Sequence, residues 1–253
     1  MVFSHKKAQK AHRMNLTRAA ENFFDAVLTL AYPQVCVICS RSVEQRRFGV
    51  ACEACWKETR IFADDEEICW KCGVPGPACG RCAELAFTAA RAVAIYDDGA
   101  LRESVLLLKR QPYVPQHIES LLIAVVRRAP LSLSTRVVPV PLHPKRLRTR
   151  GFNQASIIAR SVSNVLKLPL DEVSLVRVST TEKYRAGMDA KGRRDTVAGA
   201  FQVTHPRLVA GENILLVDDV FTTGATVSAC AETLLNAGAN GVFVLTIGRA
   251  GAT

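Results

Sequence analysis

One stretch limits what this chain can fold into more than any other: Asn213-Ile214-Leu215-Leu216-Val217-Asp218-Asp219-Val220-Phe221-Thr222-Thr223-Gly224-Ala225-Thr226. Ile214 to Val217 is an unbroken apolar run, as a parallel strand buried on both faces requires. Two carboxylates follow at its carboxyl end, then a small hydroxyl-rich turn, then a helical pattern from Val227 to Leu235. A strand that passes to a helix through such a turn collects backbone N–H groups at the helix N-terminus, where an anion is stabilised. Thr222, Thr223 and Thr226 add hydroxyl donors, and the small Gly224 and Ala225 leave room, Gly224 letting a phosphate approach the backbone.

The acidic pair narrows the ligand. Asp218 and Asp219 would repel a bare polyphosphate, yet they suit hydroxyls or a hydrated Mg²⁺ on the same molecule. A ribose 5-phosphate has that pattern. The alternative is a buried strand whose two Asp residues only open a turn and cap the next helix. The complete strand, acidic pair, turn and helix favour the phosphate site.

Eight of the nine cysteines lie between positions 36 and 82, all in C-x-x-C pairs: Cys36/Cys39, Cys52/Cys55, Cys69/Cys72 and Cys79/Cys82. Each pair can grip a metal from a tight turn, and two pairs make a tetrahedral thiolate site for Zn²⁺. Gaps of twelve residues between the first two pairs and six between the last two fit zinc ribbons or knuckles. Nearest-neighbour pairing gives two structural sites; interleaving the second pair with the third, across thirteen residues, is the other arrangement. Disulfides would need an oxidising compartment, for which no signal is present. A redox thiol and an iron–sulfur cluster are the remaining readings. A segment this small cannot fold on an apolar core alone, so metal must supply much of its stability.

At 253 residues, with 49% apolar and 22% charged content, the chain can bury a sizeable core. No apolar run reaches the length of a membrane span. No signal-peptide core follows the basic start, and a cytoplasmic location is expected. The net charge of +10 points to anionic partners. It is concentrated in three clusters: residues 5–13, residues 145–150 and residues 191–194.

Residues 1–14 read as an unstructured basic tail with a solvated charged face. Residues 15–31 show helical spacing, giving a short amphipathic helix that packs on the segment after it; an interfacial membrane helix is the weaker alternative. Further strands are expected at 92–96, 136–140, 173–178, 200–204 and 242–247, and further helices at 101–110, 118–128 and 155–168. Lys109 closes the first of those helices. The basic run, with Arg146, Arg148 and Arg150, reads as a loop after a parallel strand, and is either a second phosphate site or a solvated loop. Residues 179–196 read as a long mobile loop, and Cys230 as core.

Four stretches now agree with one family. Val138-Pro139-Val140-Pro141-Leu142-His143, Arg150-Gly151-Phe152-Asn153-Gln154, Val197-Ala198-Gly199-Ala200-Phe201 and the central motif stand in the order seen in the competence protein F (ComF) family. The cysteine pairs before them resemble that family's double zinc ribbon. The central motif is similar to the 5-phosphoribosyl-1-pyrophosphate (PRPP) loop of type I phosphoribosyltransferases. The resemblance covers residues 33–248. Members usually carry Gln at the position of Arg185 and Asn at that of Thr196.

This resemblance implies an α/β fold: a parallel-sheet type I phosphoribosyltransferase domain over 89–253, a small double zinc ribbon over 31–88, and the tail and helix over 1–30. It implies transfer of 5-phosphoribosyl from PRPP to a base or amine. Asp218 and Asp219 would hold the ribose hydroxyls, and residues 222–226 the 5-phosphate. Arg146, Arg148, Arg150 and Lys109 would meet the pyrophosphate with Mg²⁺, and the loop 179–196 would close over the site. The alternative is a non-catalytic protein of the competence machinery that binds PRPP or single-stranded DNA.

Overall fold

The computed structural model describes residues 32–63, 66–76, 79–97, 99–178 and 199–251. The tail and helix expected over 1–31 lie outside the described residues, as does the loop 179–196 with Arg185 and Thr196. The strands are β1 (Ala89–Tyr96), β2 (Arg136–Pro139), β3 (Leu175–Arg177), β4 (Phe201–Val203), β5 (Asn213–Phe221) and β6 (Gly241–Ala250). The helices are α1 (Glu53–Lys57), α2 (Ala100–Leu108), α3 (Gln116–Val126), α4 (Pro144–Arg150), α5 (Gln154–Leu166) and α6 (Ala225–Asn236). No helix among the described residues is long and apolar enough to cross a membrane.

Four strands form a parallel sheet in the order β1-β6-β5-β2, and β3 and β4 form a separate antiparallel pair. Ile214, Leu215, Leu216 and Val217 are all 0% exposed, as the apolar run requires. Side chains alternate across a strand, so this run feeds two cores. Leu215 and Val217 join Phe243, Leu245 and Ile247 in a core shared with α2, α3 and α5. Ile214 and Leu216 join Val242 and Val244 in a second core with α6.

The cysteine segments are divided between those cores. Cys36, Cys52 and Cys55 are buried with Trp56, Leu101 and Val105 in the first. Cys69, Cys72 and Cys82 are buried with Leu85, Phe87 and Phe221 in the second. Between the two, the chain runs along the outer edge of β1. Ile61 forms an antiparallel bridge with Ala94. The Phe62 N–H donates to the Val93 carbonyl at 3.0 Å, and the Ile95 N–H to the Arg60 carbonyl at 3.2 Å. At the other edge of the sheet, the Val137 N–H donates to the Pro169 carbonyl at 2.8 Å, and the Asp171 N–H to the Val137 carbonyl at 2.9 Å.

Two expectations are corrected. The basic run 145–150 is a helix, α4, and not a loop. Pro144 sits in its first turn, where the missing N–H costs nothing. The His143 Nδ1 accepts the Lys145 N–H at 3.1 Å, and Gly151 ends the helix at φ +84°. None of its seven residues is buried, so spacing could not reveal it. Second, the central strand does not stop at the acidic pair. β5 runs on to Phe221, with Asp218 opposite Thr246 and Val220 opposite Gly248.

Candidate functional site

β2 leaves the sheet towards α5, which contributes Ile158, Ala159 and Val162 to the first core. The adjacent β5 leaves towards α6, whose Val227, Ala231 and Leu234 lie in the second. Neighbouring parallel strands whose connections depart to opposite faces open a crevice at their carboxyl ends. A cavity of about 760 Å³ occupies it. Of the residues singled out from sequence, it is lined by Asp218, Asp219, Thr226, Lys109, Arg146 and Arg150. Arg148 is exposed and not among the lining residues, nor are Thr222, Thr223, Gly224 and Ala225.

The acidic pair is held by its own backbone. Asp218 Oδ1 accepts the Asp219 N–H at 2.9 Å, and Asp219 Oδ1 accepts the Val220 N–H at 2.8 Å. The free oxygen of Asp219, Oδ2, accepts from the Gln154 Nε2 at 3.2 Å and lies 3.8 Å from the Lys109 ammonium. The two carboxyls are thereby differentiated. Burial, and after it the charge of Asp219, pushes the Asp218 carboxyl well above the usual carboxylate range.

Residues 222–226 lie just beyond. Thr222 and Thr223 are exposed, and the Thr223 Oγ1 accepts the Ala225 N–H at 3.4 Å. Gly224 is the N-cap of α6, in the left-handed region at φ +79°, and offers that helix end no side-chain cap of its own. A Cβ on Gly224 would stand 2.7 Å from the Phe221 Cζ and 3.0 Å from the Leu85 Cδ1, so only glycine fits. A twelve-residue helix thus begins beside the cavity with no cap from its N-cap residue and only the long Thr223 contact on its first N–H, which leaves that end open to an anion.

Sequence spacing does not single out several further lining residues. Gln154 is 7% exposed; one end holds Asp219, while its Oε1 is buried without a partner. Asn153 caps α5 by accepting the Ala155 N–H at 3.2 Å, and donates to the Val140 carbonyl at 2.9 Å. A polar pair at the start of a helical pattern was the available signal. Arg177 reaches the cavity from β3, and nothing in its sequence setting marks it. Lys109, Lys145, Arg146, Arg150 and Arg177 bring five cations to a cavity with two carboxylates. His143 lines it too, its imidazole pushed below the usual range by burial and then by Arg177, Arg146, Lys145 and Arg148.

The cysteines settle into nearest-neighbour tetrads, 36/39/52/55 and 69/72/79/82, each with all four sulfurs within 4.8 Å of one another. All eight are free thiols. Tetrahedral Zn²⁺ with Zn–S bonds of about 2.3 Å needs sulfurs about 3.8 Å apart. Separations here include 3.7 Å for Cys36–Cys55, 3.6 Å for Cys39–Cys52, 3.6 Å for Cys69–Cys82 and 3.4 Å for Cys72–Cys79. Both tetrads fit the ion, and no fifth His, Cys, Asp or Glu joins either group among the described residues. Arg41 donates to the Cys39 sulfur at 3.3 Å and pulls that thiol down to about 6, which favours the thiolate a metal needs.

A family model described as a double zinc ribbon domain matches residues 27–86, and one described as a phosphoribosyl transferase domain matches residues 148–251. The DNA utilization protein YhgH of Escherichia coli (strain K12) is 30% identical over 226 residues, covering 85% of this chain and 96% of that protein. Competence protein F of Haemophilus influenzae is 28% identical over 230 residues, with the same 85% and 96% coverage. Competence protein ComFC of Bacillus subtilis (strain 168) is 31% identical over 102 residues, covering 40% of this chain and 39% of that protein. The match of both halves, in the order in which two cysteine tetrads precede a parallel α/β sheet, and the relationship along nearly the whole of YhgH and competence protein F make the chain a member of the ComF family.

Proposed function

We propose that the chain binds PRPP in the crevice between β2 and β5 and transfers its 5-phosphoribosyl group to a nitrogen acceptor, a base or an amine, releasing pyrophosphate. The observation that carries this reading is the convergence on one cavity of a carboxylate pair, five cations and Thr226 from the first turn of α6. Asp218 and Asp219 hold the ribose hydroxyls; Thr222, Thr223, Gly224, Ala225 and Thr226 wrap the 5-phosphate. Arg146 and Arg150 take the pyrophosphate, and Mg²⁺ comes with it, held mainly by ligand oxygens. Lys109, at 3.8 Å from Asp219, offsets part of the pair's charge before PRPP arrives.

In the reaction the bond from ribose C1 to the pyrophosphate oxygen breaks, and pyrophosphate keeps the electron pair. A C1–nitrogen bond forms as the acceptor sheds a proton. Protein nucleophiles are not required. Positioning and electrostatic stabilisation of a cationic ribose ring supply the rate enhancement. Incubation with PRPP, Mg²⁺ and a panel of bases, followed by mass spectrometry of products, tests this directly.

Charge reversal divides the roles. Arg146→Glu and Arg150→Glu are expected to weaken PRPP binding about thirtyfold, with ribose 5-phosphate affinity within about threefold of wild type. Arg148→Glu, outside the lining, should change PRPP affinity by less than about threefold. Calorimetry with both ligands reads this. Equal losses for the two ligands would mean a general field effect and not a pyrophosphate site.

The names of the relatives, DNA utilization protein and competence protein, and the net charge of +10 favour a second reading: PRPP or single-stranded DNA binding without turnover. PRPP binding with no pyrophosphate release for any acceptor would select it.

A further inference from the structure

Arg249, near the end of β6, connects two things that the sequence keeps far apart. Its guanidinium donates from Nη1 to the Cys72 carbonyl and lies with Nη2 3.5 Å from the Cys72 sulfur. The same group stands over the Phe221 ring, 4.5 Å from its centroid. Phe221 is paired in register with Arg249 across β5 and β6, and is the residue immediately before Thr222. Further contacts of Phe221 also come from the second cysteine segment. Phe87 meets it edge-to-face at 5.8 Å, and Leu85 and Phe221 both bound the space above Gly224. The Ala86 N–H donates to the Ser228 Oγ at 2.9 Å, in the first turn of α6.

We propose that Arg249 is a positioning residue for residues 222–226, fastening them through Phe221 to the second cysteine tetrad, while the first tetrad has no such role. The division follows from the cores: Cys36, Cys52 and Cys55 share theirs with α2 and α3, and Cys69, Cys72 and Cys82 share theirs with Phe221 and α6. A planar guanidinium can stack on a ring and donate in its own plane at once; an ammonium cannot do both. Arg249 therefore sets the ring that sets the turn. When zinc holds the second tetrad, Cys72 is a fixed point from which that chain of contacts starts. The consequence for ligand binding rests on the proposal that residues 222–226 take a 5-phosphate.

The test is hydrogen exchange of the ligand-free chain, followed by PRPP calorimetry with Mg²⁺. Arg249→Gln is expected to speed amide exchange over 222–228 about tenfold and to weaken PRPP binding about tenfold. Arg249→Lys should recover part of both, to about threefold. Phe221→Leu, which leaves the Arg249–Cys72 contact in place, should loosen the same amides. Zinc content should stay at about two per chain in Arg249→Lys and Phe221→Leu. Should Arg249→Gln fail to fold, these two variants carry the test. Wild-type exchange over 222–228 in both would overturn the positioning role. Faster exchange in a protein whose wild type does not bind PRPP would support that role and overturn the proposed function instead.

Discussion

Replacing Asp219 by Asn is expected to lower PRPP turnover about a hundredfold while weakening PRPP binding only about fivefold. Asn keeps the shape and one acceptor but removes the charge. In the ground state the ribose is neutral, and an ionised acceptor on a hydroxyl is worth only about 1 kcal/mol more than a neutral one. In the transition state the ring is cationic, and a fixed carboxylate beside it counts for more. The Asp219 Oδ2 is already held by Gln154 and faced by Lys109, so the charge needs no rearrangement. Asp218→Asn is expected to cost less, because burial and the neighbouring charge already favour its protonated form.

The sign of that shift gives an independent check. The folded chain holds the Asp218 proton more tightly than the unfolded chain, whose carboxyl titrates near about 4. Stability is therefore lost as pH rises from there towards the raised folded value. Asp218→Asn removes that loss and should raise Tm at neutral pH, in contrast to Asp219→Asn. Thermal unfolding at pH 5 and pH 8, set beside pyrophosphate release, reads both. If both variants bind and turn over PRPP like wild type, the acidic pair only opens a turn and the transfer mechanism is wrong.

Loss of one cysteine from either tetrad is expected to have a comparably large effect. Wild-type protein should hold about two zinc ions, and Cys36→Ser or Cys79→Ser about one. Structural zinc contributes about 10 kcal/mol in small peptides, as much as the whole stability of an ordinary domain. As a separate module, the region before Ala89 would become protease-sensitive alone. The shared cores lead to another expectation. Cys36 and Cys52 are buried against the same cluster as Leu101 and Ile118, and Cys69 against the same cluster as Phe221 and Val244. Either variant should therefore expose cleavage sites on both sides of Ala89 together. Elemental analysis and timed limited proteolysis measure this. A metal-free, fully folded wild type would refute the zinc sites, and cleavage confined before Ala89 would refute the shared cores.

The parts of the fold that depend on local chemistry were readable in advance. The run 214–217 could only be a buried strand, and C-x-x-C spacing specified a thiolate grip before any geometry was known. Both tetrads were legible as metal sites, but their pairing was not. Gaps of six, twelve and thirteen residues are all sterically open, and only the three-dimensional course of the chain decides among them. The basic helix α4 was illegible because all its side chains face solvent or the cavity, leaving no apolar stripe to read. Arg177 joins the cavity through tertiary placement alone, and Gln154 is marked in the sequence only as half of a polar pair that opens a helix. Arg148, suggested by local charge alone, is exposed outside the lining, and its charge reversal tests the role that charge suggested.

The segment between the tetrads also determines what the sheet can do to its neighbours. A parallel sheet of four strands has two open rims, each a row of unpaired N–H and C=O groups that another chain could complete. Backbone from residues 60–62 and from Lys71 already occupies the β1 rim, bonding to Val93, Ile95 and Ala90. The stretch at Pro169 to Asp171 does the same for β2. A chain trimmed to residues 89–253 would present the β1 rim bare and would self-associate strand to strand. In an ancestor or relative that lost its cysteines, another element would have to cover that rim first. The segment joining the tetrads thus closes the sheet at β1 independently of what the crevice binds.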